Sequence, residues 1–370
     1  MTLHWTVDEA LVHVDVGSRT MPSIKPGFDR KNAGDNVLKK LVVTGGLGFI
    51  GSNFIHHIIQ SREDLTVTNV DGNLMGSNPA NVRELRGNVR YRFAKGNLTD
   101  YSFVRKVLKN ANFVVNFAAQ THVDRSIAKP EPFFESNARG AFNLFQSARE
   151  NKITKLVHIS TDEVYGSIDS GSFSEESPLH PSSPYSATKA AADLMAQAWS
   201  MTYRLPVVTL RCTNNFGPRQ HPEKFIPKVI IRGLHGMDIP LYGEGRQIRD
   251  WIYVMDFCSA IQMALERGVA GEVYNISAGN ELTNRDVAER LLKQLGETKA
   301  KIIKVEDRPG HDFRYSLDSK KAQQTLGWKP DHSFEDGLAL TIDWYRKNEP
   351  WWRSLATKKV LSETPWKERW

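Results

Sequence analysis

Thr44-Gly45-Gly46-Leu47-Gly48-Phe49-Ile50-Gly51 is the stretch whose reading decides the fold. It follows an apolar run, Leu41-Val42-Val43, and leads into an apolar helical pattern from Phe49, so a buried strand, a tight turn and a helix succeed one another. Gly45 permits the turn, Gly48 lets the backbone approach a pyrophosphate, and Gly51 allows close packing of helix on strand. Phe49 and Ile50 open the helix, whose N-terminal N–H groups and dipole favour phosphate charge. Asp71 lies twenty residues beyond Gly51, at the end of the next expected strand. A carboxylate there hydrogen-bonds an adenosine ribose and repels a 2′-phosphate, so NAD is expected rather than NADP. The plain alternative is a glycine turn kept for packing alone.

Further buried strands are predicted at Thr66–Val70, Phe113–Phe117, Leu156–Ser160 and Val207–Arg211, separated by helical stretches such as Ala138–Glu150 and Tyr185–Tyr203. Strands alternating with helices imply an α/β fold, a Rossmann-type doubly wound parallel sheet. After about Asn214 the chain becomes richer in Pro and Gly, from Gly217-Pro218 to Gly243 and Gly245, which predicts a smaller, interwoven C-terminal substrate-binding lobe. The expected division is a nucleotide layer over 38–213, with 247–275 returning to it, and a lobe over 214–246 and 276–350. Residues 1–37, with the Pro/Gly/Asp/Asn-rich stretch Pro22–Asn36, read as a tail. Residues 351–370 read as a tryptophan-rich extension, expected to pack onto the body rather than anchor a partner.

The 370 residues are enough for one large or two interlocked domains. With 40% hydrophobic and 25% charged residues, 26 Gly and 17 Pro, the composition is that of a globular protein and excludes collagen-like and wholly disordered classes. The net charge of +7 comes from 49 basic residues interspersed with 42 acidic ones, without a basic block. A small anionic ligand accounts for it; no nucleic acid is expected. No apolar run approaches a membrane span and the N-terminus lacks a signal pattern, so a cytoplasmic protein without membrane contact is expected. Cys212 and Cys258 stand far apart without a CxxC, and the histidines show no HExxH-like spacing; reduced, buried thiols and no metal site are expected.

Tyr185-Ser186-Ala187-Thr188-Lys189 puts a phenol and an ammonium four residues apart, on one face of a helix. A nearby cation favours phenolate, so Tyr185 is expected to act as a base near neutral pH. Alone this spacing is common; after a dinucleotide turn it gains weight. Ser160-Thr161-Asp162-Glu163-Val164-Tyr165-Gly166 sets hydroxyls and two adjacent acids at the C-terminal end of a strand, where ligands of open α/β sheets bind. The bland reading of Asp162 is a helix cap.

These motifs, with Ala118 to Ser126, Asn214-Asn215-Phe216-Gly217-Pro218, Arg249-Asp250-Trp251 and Asp307-Arg308-Pro309-Gly310-His311, resemble the dTDP-glucose 4,6-dehydratases of the extended short-chain dehydrogenase/reductase superfamily over about residues 39–350. The most specific element is Thr161-Asp162-Glu163, because sugar-nucleotide epimerases with similar turns usually lack the acid pair. The resemblance implies that Tyr185, assisted by Lys189 and Thr161, takes the sugar 4-hydroxyl proton. Glu163 would remove the C5 proton and Asp162 would protonate the departing 6-hydroxyl. The hydride lent to NAD would return to C6.

By the same resemblance NAD would also meet Asn97, Leu98, Ala118, Ala119, Gln120 and Asn214. The nucleoside-diphosphate glucose would be held by His122, Ser126, Thr161, Asn215, Phe225, Arg249, Arg308 and Tyr315, with Lys224, Tyr242, Asn284 and His311 at the nucleotide end. One departure stands out: Asn97 replaces the usual Asp that contacts adenine, keeping an acceptor oxygen without the charge. A homodimer through the helices of Phe134–Glu150 and Tyr185–Tyr203 is implied as well. The alternatives are a UDP-glucose 4,6-dehydratase, a sugar-nucleotide 4-epimerase and a noncatalytic NAD-binding sensor.

Overall fold

A computed structural model describes residues 38–370; the expected tail, 1–37, lies outside the described residues. The chain lays down β1 (Lys39–Thr44), β2 (Leu65–Asp71), β3 (Tyr91–Lys95), β4 (Phe113–Asn116), β5 (Lys155–Thr161) and β6 (Val207–Cys212). It then leaves this layer for β7 (Asn214–Phe216), β8 (Ile239–Tyr242) and β9 (Ile248–Tyr253), and returns with β10 (Val273–Ile276); β11 (Glu281–Thr283) and β12 (Ile302–Val305) follow. The central sheet has the order β10-β6-β5-β4-β1-β2-β3, every pair parallel. Strand order therefore reverses at β1, which lies between β2 and β4. β5 and β6 are buried almost throughout, as strands covered on both faces must be.

Helices α1 (Phe49–Ser61), α2 (Tyr101–Val107), the short α3 (Val123–Ala128) and α4 (Glu131–Phe133), α5 (Gly140–Glu150) and α6 (Pro184–Tyr203) connect the first strands. α7 (Phe225–Leu234), α8 (Val254–Arg267), α9 (Asn284–Leu295), α10 (Phe334–Lys347) and α11 (Glu349–Arg353) complete the molecule. Phe54, Ile55 and Ile58 of α1 join Phe257, Ile261 and Leu265 of α8 in one core, while Leu144 and Phe145 of α5 join Ala192 and Ala196 of α6 in another. Each such large apolar side chain contributes about 1.5–3 kcal/mol on burial. α6 begins sharply: Pro184 occupies its first position, and Ser183 and Ser186 form a reciprocal cap. That cap sets Tyr185 and Lys189 in the first turns, beside the end of β5.

Three expectations are revised, and a fourth is met. β3 escaped the sequence reading because Arg92, Phe93 and Lys95 are exposed at the sheet edge and break the apolar run. The helix expected from Ala138 begins earlier, as a wide turn over Phe134–Arg139 that runs into α5. Ile248–Tyr253 does not return to the central sheet; it pairs with β7 and β11 in a separate sheet, and the return begins at Val254 with α8. The Trp-rich segment 351–370 is packed on the body: Trp352 is buried and donates to Tyr345 O at 2.8 Å, and Trp351 donates to Asn81 Oδ1 at 2.8 Å.

Candidate active site

The reversal of strand order opens a crevice at the C-terminal ends of β1 and β4. Gly45 holds a left-handed φ of +71°, and a Cβ there would stand 2.7 Å from the Ala118 backbone N. A Cβ on Gly51 would meet Gly45 O at 2.5 Å. The turn therefore admits only glycine where it touches the neighbouring strand and where α1 leans on it. Gly48 is the N-cap of α1 and brings no capping side chain, so the helix start offers backbone donors to an anion. Asp71 closes the far side, its Oδ2 accepting from Leu47 N–H at 3.0 Å and its Oδ1 from Asn73 N–H at 2.7 Å and Ser77 Oγ–H at 2.9 Å. A carboxylate so held is fixed for a ribose contact. This cradle fits a dinucleotide.

One cleft brings together Gly45, Gly48, Phe49, Ile50, Gly51, Asp71, Asn97, Leu98, Ala118, Ala119, Gln120 and Asn214 with Thr161, Asp162, Glu163, Tyr185 and Lys189, and with Asn215 and Lys224 of the expected substrate groups. Thr161 caps the turn that follows β5: its Oγ1 accepts from Glu163 N–H at 3.3 Å and donates to Asp162 Oδ1 at 3.0 Å. Asp162 is buried and its Oδ2 has no partner, as is true of Asn215 Oδ1. Unpaired buried acceptors at the cleft are costly unless a ligand meets them.

Burial, and then the neighbouring Glu163 charge, push the Asp162 carboxyl well above its ordinary range. Glu163 is also raised by burial, but Arg308, Lys224 and Arg249 pull it back. The two acids are thus unequal, as a pair with separate acid and base duties requires. Tyr185 departs from expectation. Burial, and then the Glu163 charge, push its phenol well above the ordinary value, while Lys189 donates to Ile159 O at 2.6 Å. Burial also lowers Lys189 itself.

The remaining expected substrate groups form a second cluster beside Glu163, and several are already engaged. Arg249 donates to the carbonyls of Ile248, Phe313 and Asp312 at 2.7, 3.2 and 2.9 Å, and lies 4.1 Å over the Tyr315 ring. Tyr315 donates to Asp312 at 2.7 Å. Arg308 is paired with Asp124 at 2.7 Å, and Tyr242 donates to the other oxygen of the same carboxylate at 2.7 Å. His311 Nδ1 lies 2.6 Å from Asp307, and burial lowers its pKa to about 4. Lys224, the N-cap of α7, donates to Thr121 O at 2.7 Å, and Phe225 follows it with its ring 6.1 Å from Trp251.

Three expected contact residues already have partners within the chain. Ser126 is fully buried; its hydroxyl donates to Val123 O at 2.7 Å and accepts from Tyr185 N–H at 3.1 Å, so it positions α6 rather than facing substrate. Asn284 opens α9, its backbone N–H donating to Gln247 O at 3.0 Å, which leaves its side-chain amide uncommitted by that bond. Asn97 Oδ1 accepts from Thr99 N–H at 3.0 Å, so the acceptor expected for adenine is already shared with the chain's own backbone. His122 caps α3 and is buried. The sequence reading missed Asp124, and also the buried Arg125–Glu223 pair, 3.1 Å apart. The only signal was charged residues at Asp124, Arg125 and Glu223, which resemble ordinary surface charges until packing buries them.

Among the described residues, no group of three or more His, Cys, Asp or Glu could hold a metal, and no helix is long and apolar enough to cross a membrane. Both cysteines are buried and unpaired.

A family model described as GDP-mannose 4,6 dehydratase matches residues 42–341. The chain belongs to that family. Within this dehydratase family, it is 44% identical over 330 residues to a dTDP-glucose 4,6-dehydratase of Streptomyces niveus, covering 88% of this chain and 98% of the relative. Among solved structures, DesIV, a dTDP-glucose 4,6-dehydratase of Streptomyces venezuelae crystallised with NAD, superposes with a TM-score of 0.84 at 46% identity, over 85% of this chain and 99% of its own. A UDP-glucuronic acid 4-epimerase of Bacillus cereus gives a TM-score of 0.79 at 29% identity, over 83% and 99% of the two chains. The fold is shared with epimerases, while the higher identity lies with the dehydratases.

Proposed function

We propose that this chain is an NAD-dependent dTDP-glucose 4,6-dehydratase, forming dTDP-4-keto-6-deoxyglucose. The observation that carries this reading is the pair of unequal acids, Asp162 buried and Glu163 half-buried, lining one cleft with Tyr185. Epimerisation at C4 needs no such pair; elimination of water across C5 and C6 needs both an acid and a base. Tyr185 Oη takes the 4-hydroxyl proton, with Thr161 and Lys189 orienting it. Bound in the cleft of Gly45, Gly48, Gly51 and Asp71, NAD would supply a positively charged ring and reversible storage of the hydride between C4 and C6. The 4-ketone acidifies C5; Glu163, restrained by Arg308, Lys224 and Arg249, removes that proton. Asp162, kept protonated by burial, gives its proton to the leaving 6-hydroxyl. Asn215, Lys224, Arg249 and Arg308 bind the nucleoside diphosphate, and arginine forks suit its oxygens.

The test is to offer dTDP-, UDP-, GDP- and CDP-glucose and to assay the base-labile 4-keto product. Turnover of dTDP-glucose above the others supports the reading. Preference for UDP-glucose would reassign the base, and C4 inversion without water loss would make the protein an epimerase. The nucleotide layer and the substrate lobe divide binding between them, and the site lies where they meet. We further propose a cytoplasmic homodimer through α5 and α6, which leave Phe142, Leu194 and Met201 exposed. A monomer mass by light scattering at micromolar concentration would overturn the dimer.

A further inference from the structure

The segment Val360–Trp370 is pinned to the walls of the substrate cluster. Two buried cations of α7 hold its backbone: Lys228 Nζ donates to Ser362 O at 3.1 Å and Arg232 Nη1 to Leu361 O at 2.8 Å. Lys367 pairs with Glu306, two residues before Arg308. Trp366 is buried and meets the Tyr242 ring edge to face, with centroids 4.8 Å apart and planes at 89°. Trp370 lies 5.6 Å from the Arg125 guanidinium and donates to Pro365 O at 2.8 Å, so the segment's tip folds back against α3. Tyr242 in turn donates to Asp124 Oδ2 at 2.7 Å, and Asp124 holds Arg308 at 2.7 Å. A chain of direct contacts therefore runs from Trp366 through Tyr242 and Asp124 to Arg308. Among the described residues, none of the segment's hydrogen bonds or ring contacts reaches Tyr185, Lys189 or Glu163.

We infer that Val360–Trp370 is a strap and that Trp366 is a positioning residue for the nucleoside-diphosphate end of the substrate. An edge-to-face ring contact fixes the tilt of Tyr242. The tilt sets where its hydroxyl meets Asp124, and so where Asp124 holds the Arg308 fork. Without Trp366 the Tyr242 ring gains freedom that nucleotide binding must remove, which weakens binding and leaves the reacting end of the cleft unchanged. The inference rests on the reading of Tyr242 and Arg308 as substrate groups.

The test uses the full chain with bound NAD and compares Trp366→Ala, Trp366→Leu and Trp366→Phe with the unaltered protein. Calorimetry measures affinity for dTDP, initial rates give kcat and KM for dTDP-glucose, and released cofactor gives NAD content. Loss of the ring contact is expected to weaken dTDP about 3- to 10-fold. KM should rise by the same factor, with kcat within about twofold and NAD content unchanged. Trp366→Phe should recover most of the affinity. If Trp366→Ala does not fold, Trp366→Leu keeps an apolar side chain without the ring and carries the test. A folded Leu variant with unchanged dTDP affinity overturns the strap's role, as does a fall in kcat at constant KM or a parallel loss of NAD. Were the unaltered protein to bind UDP but not dTDP, the base assignment would fall while the same ratios, read with UDP, still judged the strap. Binding of neither nucleotide would overturn the substrate reading and the inference together.

Discussion

Arg308 donates to Asp124 at 2.7 Å although 184 positions separate them in the chain. The pair links the short helix after β4 to a loop near the C-terminal end, and it sets the charge beside Glu163. Burial pushes the Asp124 carboxyl up, yet Arg308 and His122 hold it down at about 2. It stays ionised and keeps Arg308 compensated in the absence of substrate.

Asp124→Asn is therefore expected to destabilise the fold. Asparagine can still accept from Tyr242, but it leaves the largely buried Arg308 charge with only the more distant Glu163 to balance it, a loss of up to about 3–5 kcal/mol. Urea unfolding measures it; a change below about 1 kcal/mol would show that Arg308 finds solvent or another partner.

Asp162 and Glu163 should fail differently when neutralised. With Glu163→Gln, C4 oxidation persists, so reduced-cofactor absorbance appears on adding substrate while deuterium uptake at C5 from D2O is nearly abolished. With Asp162→Asn, deuterium still enters C5 but elimination slows. Each loss is expected to slow its step by about 100- to 10,000-fold. The reverse pattern exchanges the two roles, and full dehydration by both variants reduces the acids to capping groups.

His122 makes part of the stability depend on pH. Burial lowers its pKa to about 4, and its Nδ1 accepts from Arg125 N–H at 3.4 Å, which requires the neutral ring. Between that value and about 6.5 the unfolded chain binds the extra proton, so stability falls as pH falls, by up to about 1.4 kcal/mol per pH unit. His122→Asn keeps a capping acceptor and removes the titration. Its unfolding free energy should lose less than that of the unaltered protein between pH 6.5 and 4; parallel curves would refute the assignment.

Asn97→Asp is expected to tighten NAD binding about 3- to 10-fold, since one carboxylate oxygen can serve Thr99 N–H and leave the other, charged, for an adenine amino group. Titration of NAD into cofactor-free protein checks this. Unchanged or weaker binding would mean that adenine is recognised elsewhere in the cleft.

Much of the site was legible because its chemistry is local. Gly45 to Gly51, Thr161 to Glu163 and Tyr185 with Lys189 each lie within one turn, where spacing alone sets geometry. Ser126 was misjudged because a resemblance assigns a residue to a site without saying whether a neighbouring backbone already uses its polar group. β3 was missed because an edge strand with exposed Arg92 and Lys95 carries little apolar periodicity.

The amino-acid sequence by itself determined the strand-turn-helix opening, the parallel α/β sheet and the adjacency of the two acids, because these follow from steric freedom at glycine, apolar periodicity and covalent neighbourhood. Only the tertiary structure decided which charges are buried together. Asp124 with Arg308, Arg125 with Glu223 and Trp366 with Tyr242 come from separate elements whose meeting depends on the packing of the whole chain. The raised phenol of Tyr185 belongs with them: spacing to Lys189 placed a cation nearby, but desolvation and the carboxylates packed around the ring outweigh it. Burial is a property of three-dimensional neighbourhood, and with it the strength of every charge interaction in the cleft.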